Sequence, residues 1–372
     1  QQYLANYNRT FANNTIDLTL GYEAYNYNSE NVYATGQNLY KPNDFTINNT
    51  IDQKRGGGSY GEYATRGFFG RLNYDYAEKY FISASYRRDA SSRFHPDHRW
   101  GNFWSLGGGW IINEESWFPR LRWIDMLKLK ASIGSQGNDN IGNYLYTDTY
   151  YLSNNDGTPA LTFGLKGNKT ITWETNTNFN AGVDFDLLRG KVSGSVEYFF
   201  RNTTDMLYYF PVPASLGYGG YYDNIGDMRN AGVELSVNVN IMRRDNLNWS
   251  AYLNFTHYNN KVTMIPEENK SNVVEGYKGF ANGNSFIGEG LPLNTFLMPK
   301  YAGVDKTNGL PMWYKDTTDE EGNITEQHMV AEAHGQTLCF RNIVSRFSRL
   351  VKRKTDSSGR LFRLFHLLHS GD

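Results

Sequence analysis

Again and again along this chain, apolar and polar residues alternate for about ten positions, the length of a tilted strand crossing a bilayer. Successive strand residues point to opposite faces, so each stretch carries one oily side and one wet side. Phe68, Gly70, Leu72, Tyr74 and Tyr76 share a face, with Phe69, Arg71, Asn73 and Asp75 on the other. After Ala77-Glu78-Lys79 the pattern restarts in step, Tyr80, Ile82, Ala84 and Tyr86 opposing Ser83, Ser85 and Arg87. The spacing predicts a hairpin.

The same signal recurs in Trp104, Leu106, Gly108, Trp110 and Ile112, and in Leu127, Leu129, Ala131 and Ile133 opposed by Lys128, Lys130 and Ser132. Phe179, Ala181, Val183 and Phe185 turn at 187–190 into Val192, Gly194, Val196, Tyr198 and Phe200. Ala231, Val233, Leu235, Val237 and Val239 turn at 243–246 into Trp249, Ala251, Leu253 and Phe255, and Ile16, Leu18, Leu20, Tyr22 and Ala24 precede all of these rows. No segment keeps a helical period.

Composition agrees with an all-β chain: 28 Tyr, 22 Phe and 8 Trp accompany 37 Gly and only 10 Pro, and strands favour aromatics while tolerating Gly where they pack closely. A formal net charge of −1 offers no excess of cations to hold a phosphate backbone, so nucleic acid is not an expected partner. The single cysteine, Cys339, leaves no internal disulfide and no Cys-based metal site. No apolar run approaches the ~18 residues of a spanning helix, so a membrane form of this chain must be a barrel. Gln1-Gln2-Tyr3 carries neither a charged leader nor an apolar core; the expectation is a removed signal peptide or a piece of a longer chain.

A soluble sandwich also alternates, but its strands average about 5 to 6 residues. Connections separate the two folds as well. Tight links at 77–79, 187–190 and 243–246 alternate with long polar ones at about 28–65, 138–171, 207–227 and 261–283, and outer-membrane barrels pair short periplasmic turns with long extracellular loops. Tyr76, Tyr80, Trp104, Trp110, Tyr198 and Trp249 fall near strand ends, as interfacial girdles do; ordinary strand propensity would also place them there. The rows predict an antiparallel transmembrane β-barrel, partial, with about 10 or 11 strands once weaker segments such as 285–301 are included. An open edge in lipid leaves backbone groups unpaired, so such a wall needs further strands to close.

Several runs resemble SusC/RagA-like TonB-dependent outer-membrane transporters. They are Gly70-Arg71-Leu72-Asn73-Tyr74-Asp75-Tyr76, Ser83-Ala84-Ser85-Tyr86-Arg87-Arg88-Asp89-Ala90-Ser91-Ser92-Arg93-Phe94, and Trp100-Gly101-Asn102-Phe103-Trp104-Ser105. Leu127-Lys128-Leu129-Lys130-Ala131-Ser132, Trp173-Glu174-Thr175, Asn230-Ala231-Gly232-Val233-Glu234 and Tyr301-Ala302-Gly303-Val304-Asp305 continue the likeness in order over residues 1–330 or so. The resemblance implies a barrel of about 22 strands with an N-terminal plug, importing glycan oligosaccharides or peptides with energy from TonB, in the bacterial outer membrane. It implies a SusD-like surface lipoprotein over the mouth, and no enzymatic activity. This chain would correspond to the C-terminal half of the barrel, without the plug through which TonB acts, and is expected not to transport alone. A secreted or surface carbohydrate-binding β protein using Tyr-rich loops is the alternative, and detergent-dependent extraction would distinguish the two. An outer-membrane hydrolase would need a catalytic cluster, and His257 and His328 have no nucleophile frame around them.

From Gly335 the character changes. Residues 335–372 carry Arg341, Arg346, Arg349, Lys352, Arg353, Lys354, Arg360 and Arg363 against Asp356 and Asp372, without sustained alternation. The division is therefore 1–334 partial barrel and 335–372 basic tail outside the family pattern. A reading-frame break near residue 333 is favoured over an amphipathic surface segment or a solvated end.

Among candidate sites, Gly56, Gly58 and Gly61 have G-x-G-x-x-G spacing, but no buried strand precedes them and no helix follows, so a flexible outer loop is expected instead of a nucleotide site. His95-Pro96-Asp97-His98 reads as a polar loop tip rather than a metal site. Glu267-Glu268 and Asp319-Glu320-Glu321 read as solvated loop charge rather than calcium ligands. No cofactor is expected. Substrate contact is expected from loop aromatics, through stacking on sugar rings or peptide side chains: Tyr144, Tyr146, Tyr150 and Tyr151, and Tyr218, Tyr221 and Tyr222.

Overall fold

The computed structural model describes the backbone of residues 1–244, 247–270, 272–293, 295–318, 324–330, 337–339 and 346–354. Among them one antiparallel sheet dominates. Its first strands run up and down in chain order: β1 (Gln2–Phe11), β2 (Asn14–Leu39), β3 (Thr50–Tyr76), β4 (Tyr80–Ser91), β5 (Trp100–Ile111) and β6 (Ile124–Asn138). A loop hairpin, β7 (Thr149–Asn155) with β8 (Thr158–Leu165), intervenes before β9 (Glu174–Leu187) and β10 (Val192–Thr204) rejoin the sheet. A second loop hairpin, β11 (Leu207–Pro211) with β12 (Gly220–Asn224), precedes β13 (Asp227–Arg244) and β14 (Leu247–Met264).

Beyond β14, short strands β15 (Asn272–Val274), β16 (Tyr277–Asn282), β17 (Ser285–Gly288) and β18 (Thr295–Met298) form a small sheet, and β19 (Tyr301–Val304), β20 (Pro311–Thr318) and β21 (Ile324–Val330) form another. β22 (Thr337–Cys339) pairs with β18, and β23 (Arg346–Lys354) pairs with β14 as the eleventh strand of the main sheet. The 285–301 segment, expected to add to the barrel wall, instead builds the small sheets, because β17 and β18 are four residues each, too short to cross lipid. Of the tail, the described parts are β22 and β23; the rest of 335–372 lies outside the described residues.

Strand register turns the separate apolar rows into one face. Leu18, Leu72, Ala84, Leu106, Ile133, Phe179, Phe200 and Ala231 stand directly opposite one another across successive strands. Ile16, Tyr74, Ile82, Gly108, Ala131, Ala181, Tyr198 and Val233 form the next such line. Paired residues project to the same side of a sheet, and a slip of one residue would send every member to the wrong side. Ile82 and Leu106 are 50% and 51% exposed, so no protein layer covers this face. In water such a continuous apolar surface would be untenable; in lipid it is the outer wall.

Aromatic rings bound the apolar band on both sides. Near the short turns Tyr76, Tyr80 and Trp110 follow one another at centroid distances of 6.2 Å, Tyr80 stacked on Trp110 and tilted to Tyr76. Toward the long loops Tyr3, Tyr22, Phe68 and Trp100 form a second line, with 4.9 Å between Tyr22 and Phe68 and 6.5 Å between Phe68 and Trp100. From Phe68 to Tyr76 the chain rises about 27 Å at about 3.4 Å per residue, which on a tilted strand matches the scale of a lipid-facing band about 25 Å tall.

The opposite face is polar and internally paired. Lys130 on β6 meets Asp184 on β9 at 2.8 Å and also Glu197 on β10; Arg87 reaches Asp89 at 2.6 Å and Glu23 at 3.1 Å. Rings on this face lie over glycines of the neighbouring strands. A Cβ on Gly137 would sit 2.1 Å from the tip of Phe103, and one on Gly21 would sit 2.3 Å from the tip of Phe69, so glycine is required where an inward ring crosses a neighbour.

The short connections cluster at one end of the sheet. Ala77 and Glu78 take φ of +56° and +55°, and Leu188, Arg189 and Gly190 also have positive φ, the sense of twist that lets antiparallel strands reverse tightly. Apart from the β5–β6 connection, 112–123, which sits at the short-turn end, the long connections lie at the other end, but the expected loop at 28–65 is largely strand. β2 continues to Leu39 and β3 begins at Thr50, in register through Asn31 with Ser59 and Tyr33 with Gly57. Their polar, glycine-rich composition imitates a loop, yet two extended segments can satisfy each other's backbone groups whatever their side chains. Gly56, Gly58 and Gly61 therefore belong to strand β3, not to a flexible loop.

Candidate functional site at the outer rim

The long loops fold onto one another. Phe94 and Ile171 are fully buried and join Phe103, Ile141, Leu145 and Trp173 in a core made from the β4–β5 and β6–β9 connections and adjoining strand ends. Trp173 packs 5.4 Å from Phe94 and 5.3 Å from Phe103, and its indole N–H donates to the carbonyl of Arg99 at 2.8 Å. The buried aromatic body and the paired N–H make it the hinge pin of this end.

A polar knot closes the same core where β3 and β4 emerge above the apolar band. Asp139 accepts the Tyr63 hydroxyl at 2.9 Å and the Ser91 hydroxyl at 2.6 Å, and Arg93 lies 4.3 Å over the Tyr63 ring. Arg93 also donates to the Asp139 carbonyl at 2.9 Å. Burial, followed by the bond to Asp139, pushes the Tyr63 hydroxyl up to about 12.

Both loop hairpins lean on this base. Lys166, after β8, bridges to Tyr221 of β12, and Asn168 donates to the Tyr222 carbonyl at 3.2 Å and to Asp223 at 2.7 Å. Tyr150 of β7 meets Phe163 of β8 edge-on at 5.5 Å, and Phe163 lies 6.1 Å from Tyr218. Phe163 thus joins the two tyrosine clusters through one ring.

The tyrosines singled out from sequence divide by environment. Tyr144 is exposed with φ of +64°, and Tyr150 and Tyr151 are exposed on β7. Tyr146 and Tyr222 are half-buried against the loop core; Tyr146 meets His95 edge-on at 5.9 Å, and Tyr222 meets Tyr209 at 5.3 Å. Tyr221 lies 5.5 Å from Phe210, and burial, with the charge of Asp223, raises its pKa. Phe163 and Tyr208 went unremarked in the sequence, and Asn168 stood out there only as one of several chance Asn-x-Ser/Thr triplets. Tyr208 accepts a hydrogen bond from Asn282 and packs 6.0 Å from Phe280, joining β11 to the small sheet. A Tyr-Tyr-Phe run at 208–210 flanked by Pro211 and Pro213 was the available signal.

Other candidates resolve into local pairs. His95 and Asp97 face each other at 3.4 Å, and Glu267 is paired with Lys270 at 2.6 Å. Asp319-Glu320-Glu321 and the His328 side chain lie outside the described residues. His257 stands on β14 opposite Val233. Among the described residues no group of three or more His, Cys, Asp or Glu gathers as a metal would require.

A lipid-facing apolar band, a wet inner face, tight turns at one end and packed loops at the other form the wall of an outer-membrane barrel. Residues 1–318 match the family model described as TonB dependent receptor-like, beta-barrel. The chain belongs to that family. It is 30% identical over 344 residues to the TonB-dependent receptor SusC of Bacteroides thetaiotaomicron, covering 82% of this chain and 34% of the relative. A TonB-dependent receptor of Formosa agariphila is 33% identical over 246 residues, 65% of this chain and 22% of the relative. The structure of the RagAB peptide transporter superposes with a TM-score of 0.78 at 26% identity, covering 95% of this chain and 39% of that one. This TonB-dependent receptor barrel is thus of SusC/RagA type, an outer-membrane protein and not an enzyme. It spans about a third or less of the length of these curated relatives.

Proposed function

We propose that this chain supplies wall strands and outer rim loops to an importer of glycan oligosaccharides or peptides, driven by TonB through a plug and capped by a SusD-like surface lipoprotein. The observation that carries the reading is the joint likeness to SusC in sequence and to the RagAB peptide transporter in backbone, each over four-fifths or more of this chain. The rim supports it. Tyr150, Phe163 and Tyr218 form a linked aromatic surface of the kind that stacks on sugar rings or apolar peptide side chains, with Tyr144 and Tyr151 exposed nearby in sequence. Tyr146 and Tyr222 pack against the loop core beneath, and Tyr221 bridges to Lys166 after β8.

The test is uptake in a strain whose chromosomal gene for the complete importer carries Tyr150→Ala with Tyr218→Ala. The reading predicts slower growth on the imported oligosaccharide or peptide, with unchanged growth on glucose and unchanged protein in the outer membrane. Equal growth on every oligosaccharide or peptide that requires the gene would remove these tyrosines from the substrate path. Loss of co-purification with the neighbouring lipoprotein after deletion of 149–165 would place the partner on the same rim.

A further inference from the structure

At the short-turn end one connection departs from the others. The connection from β5 to β6, Ile112 to Trp123, is much longer than its neighbours and reads INEESWFPRLRW. Its aromatic residues extend the lower girdle sideways: Trp117 lies 6.0 Å from Trp110, and Phe118 lies 6.1 Å from Trp117. Trp117, Leu121 and Trp123 are 62%, 40% and 50% exposed. Glu115 anchors the turn, accepting the Tyr80 hydroxyl at 2.5 Å and the Trp110 N–H at 3.1 Å.

The next turn docks against it. Leu188 donates its N–H to the Trp123 carbonyl at 2.9 Å, and Asp125 accepts the backbone N–H groups of Arg189 at 2.5 Å and Gly190 at 3.2 Å. Leu188 is exposed beside them. The two turns therefore present Arg120, Arg122 and Arg189 from one joined platform, all exposed and without an ion pair among the described residues. Of the acids beside them, Glu115 is held by Tyr80 and Trp110 and Asp125 by the turn amides, while the main-chain carbonyl of Glu114 accepts the Lys79 ammonium and the buried Asp186 Oδ1 lies 4.0 Å from where a Cβ on Gly190 would stand.

We infer that this double turn is a binding site for the phosphate headgroup of an anionic phospholipid in the periplasmic leaflet. Indoles beside the apolar band place the platform at headgroup depth, and arginines there gain both charge attraction and forked hydrogen bonds to phosphate oxygens. Apolar Trp117, Leu121, Trp123 and Leu188 cover the upper part of the acyl chains. Free phosphate would meet the same arginines but none of the apolar contacts.

The measurement is native mass spectrometry of the intact protein in detergent, offered equal amounts of dioleoyl phosphatidylglycerol and dioleoyl phosphatidylcholine. Phosphatidylglycerol should be retained in clear excess, and Arg120→Gln with Arg122→Gln and Arg189→Gln should remove that excess, at about fivefold per arginine. Heat-modifiable migration on gels reports whether the variant is folded. If it is not, the competition on unaltered protein decides alone, with 10 mM inorganic phosphate added as a second arm. Equal retention of the two lipids, an unchanged preference in the folded variant, or displacement by free phosphate would overturn the inference.

Discussion

Asn168 donates from Nδ2 to the Asp223 carboxylate at 2.7 Å, tying the segment that follows β8 to the end of strand β12. The same amide also reaches the Tyr222 carbonyl, so one side chain links two loops that are far apart in sequence. Charged hydrogen bonds of this kind contribute about 1.5–3 kcal/mol. Asn168→Ala is expected to raise hydrogen exchange of 149–165 and 207–224 by about tenfold or more on that scale, leaving the β3–β6 amides unchanged. Exchange that rises throughout the sheet would show a general loss of fold instead.

Tyr63 gives the loop base a pH dependence of defined sign. Its folded pKa is about 12 against an ordinary 10.0, so the folded state holds the phenolic proton more tightly than the unfolded chain does. The stabilisation is fully present below pH 10 and lost as pH rises toward 12. Protection of the Asp139 region should fall across that window, and Tyr63→Phe should abolish the step. A spectroscopic titration giving an ordinary phenol at 63 would contradict the knot around Asp139.

Gly137 tests the inner face. Phe103 lies across it, with 2.1 Å to where a Cβ would stand, and both Phe103 and Trp173 are buried. Gly137→Ala is expected to cost about 1–3 kcal/mol through overpacking, lowering the yield of heat-modifiable barrel. Gly137→Ala combined with Phe103→Leu should recover part of the loss. A cost that is unchanged in the double variant would mean the ring is not the obstacle.

Leu106 and Ser105 test the outer face, being adjacent on β5 yet in opposite rows. Leu106→Arg places a cation in the lipid band and should cost about 2–4 kcal/mol if near its middle. Ser105→Arg projects into the wet interior, where Ser85 meets it at 2.6 Å, and should cost well under half as much. Denaturant unfolding in micelles of a stated detergent measures both.

How much of this was legible depends on which force acts on each residue. β13 and β14 were plain because lipid imposes an oily side chain at every second position, as in Val233, Leu235, Val237 and Val239. β1 was not, because Arg9 breaks a row that Tyr3, Ala5 and Tyr7 begin, although Arg9 still pairs with Ile16. Above the band the lipid constraint ends, and β2 and β3 continue as strands through Asn28, Ser29 and Gly56 to Gly58 on backbone pairing that leaves no period. The loop hairpins are harder still. Tyr150 and Tyr218 were visible as clusters, but Phe163, which joins them, and Asn168, which fixes them, act through contacts that no local pattern records.

One face of this sheet meets lipid and the other does not. Single cysteines at Leu106→Cys, Val196→Cys, Ser105→Cys and Ser195→Cys, each in a Cys339→Ser background, can carry a small fluorophore in reconstituted bilayers containing brominated lipid. Strong quenching is expected at 106 and 196, with little at 105 and 195. Equal quenching at adjacent positions, or none at 106 and 196, would contradict it.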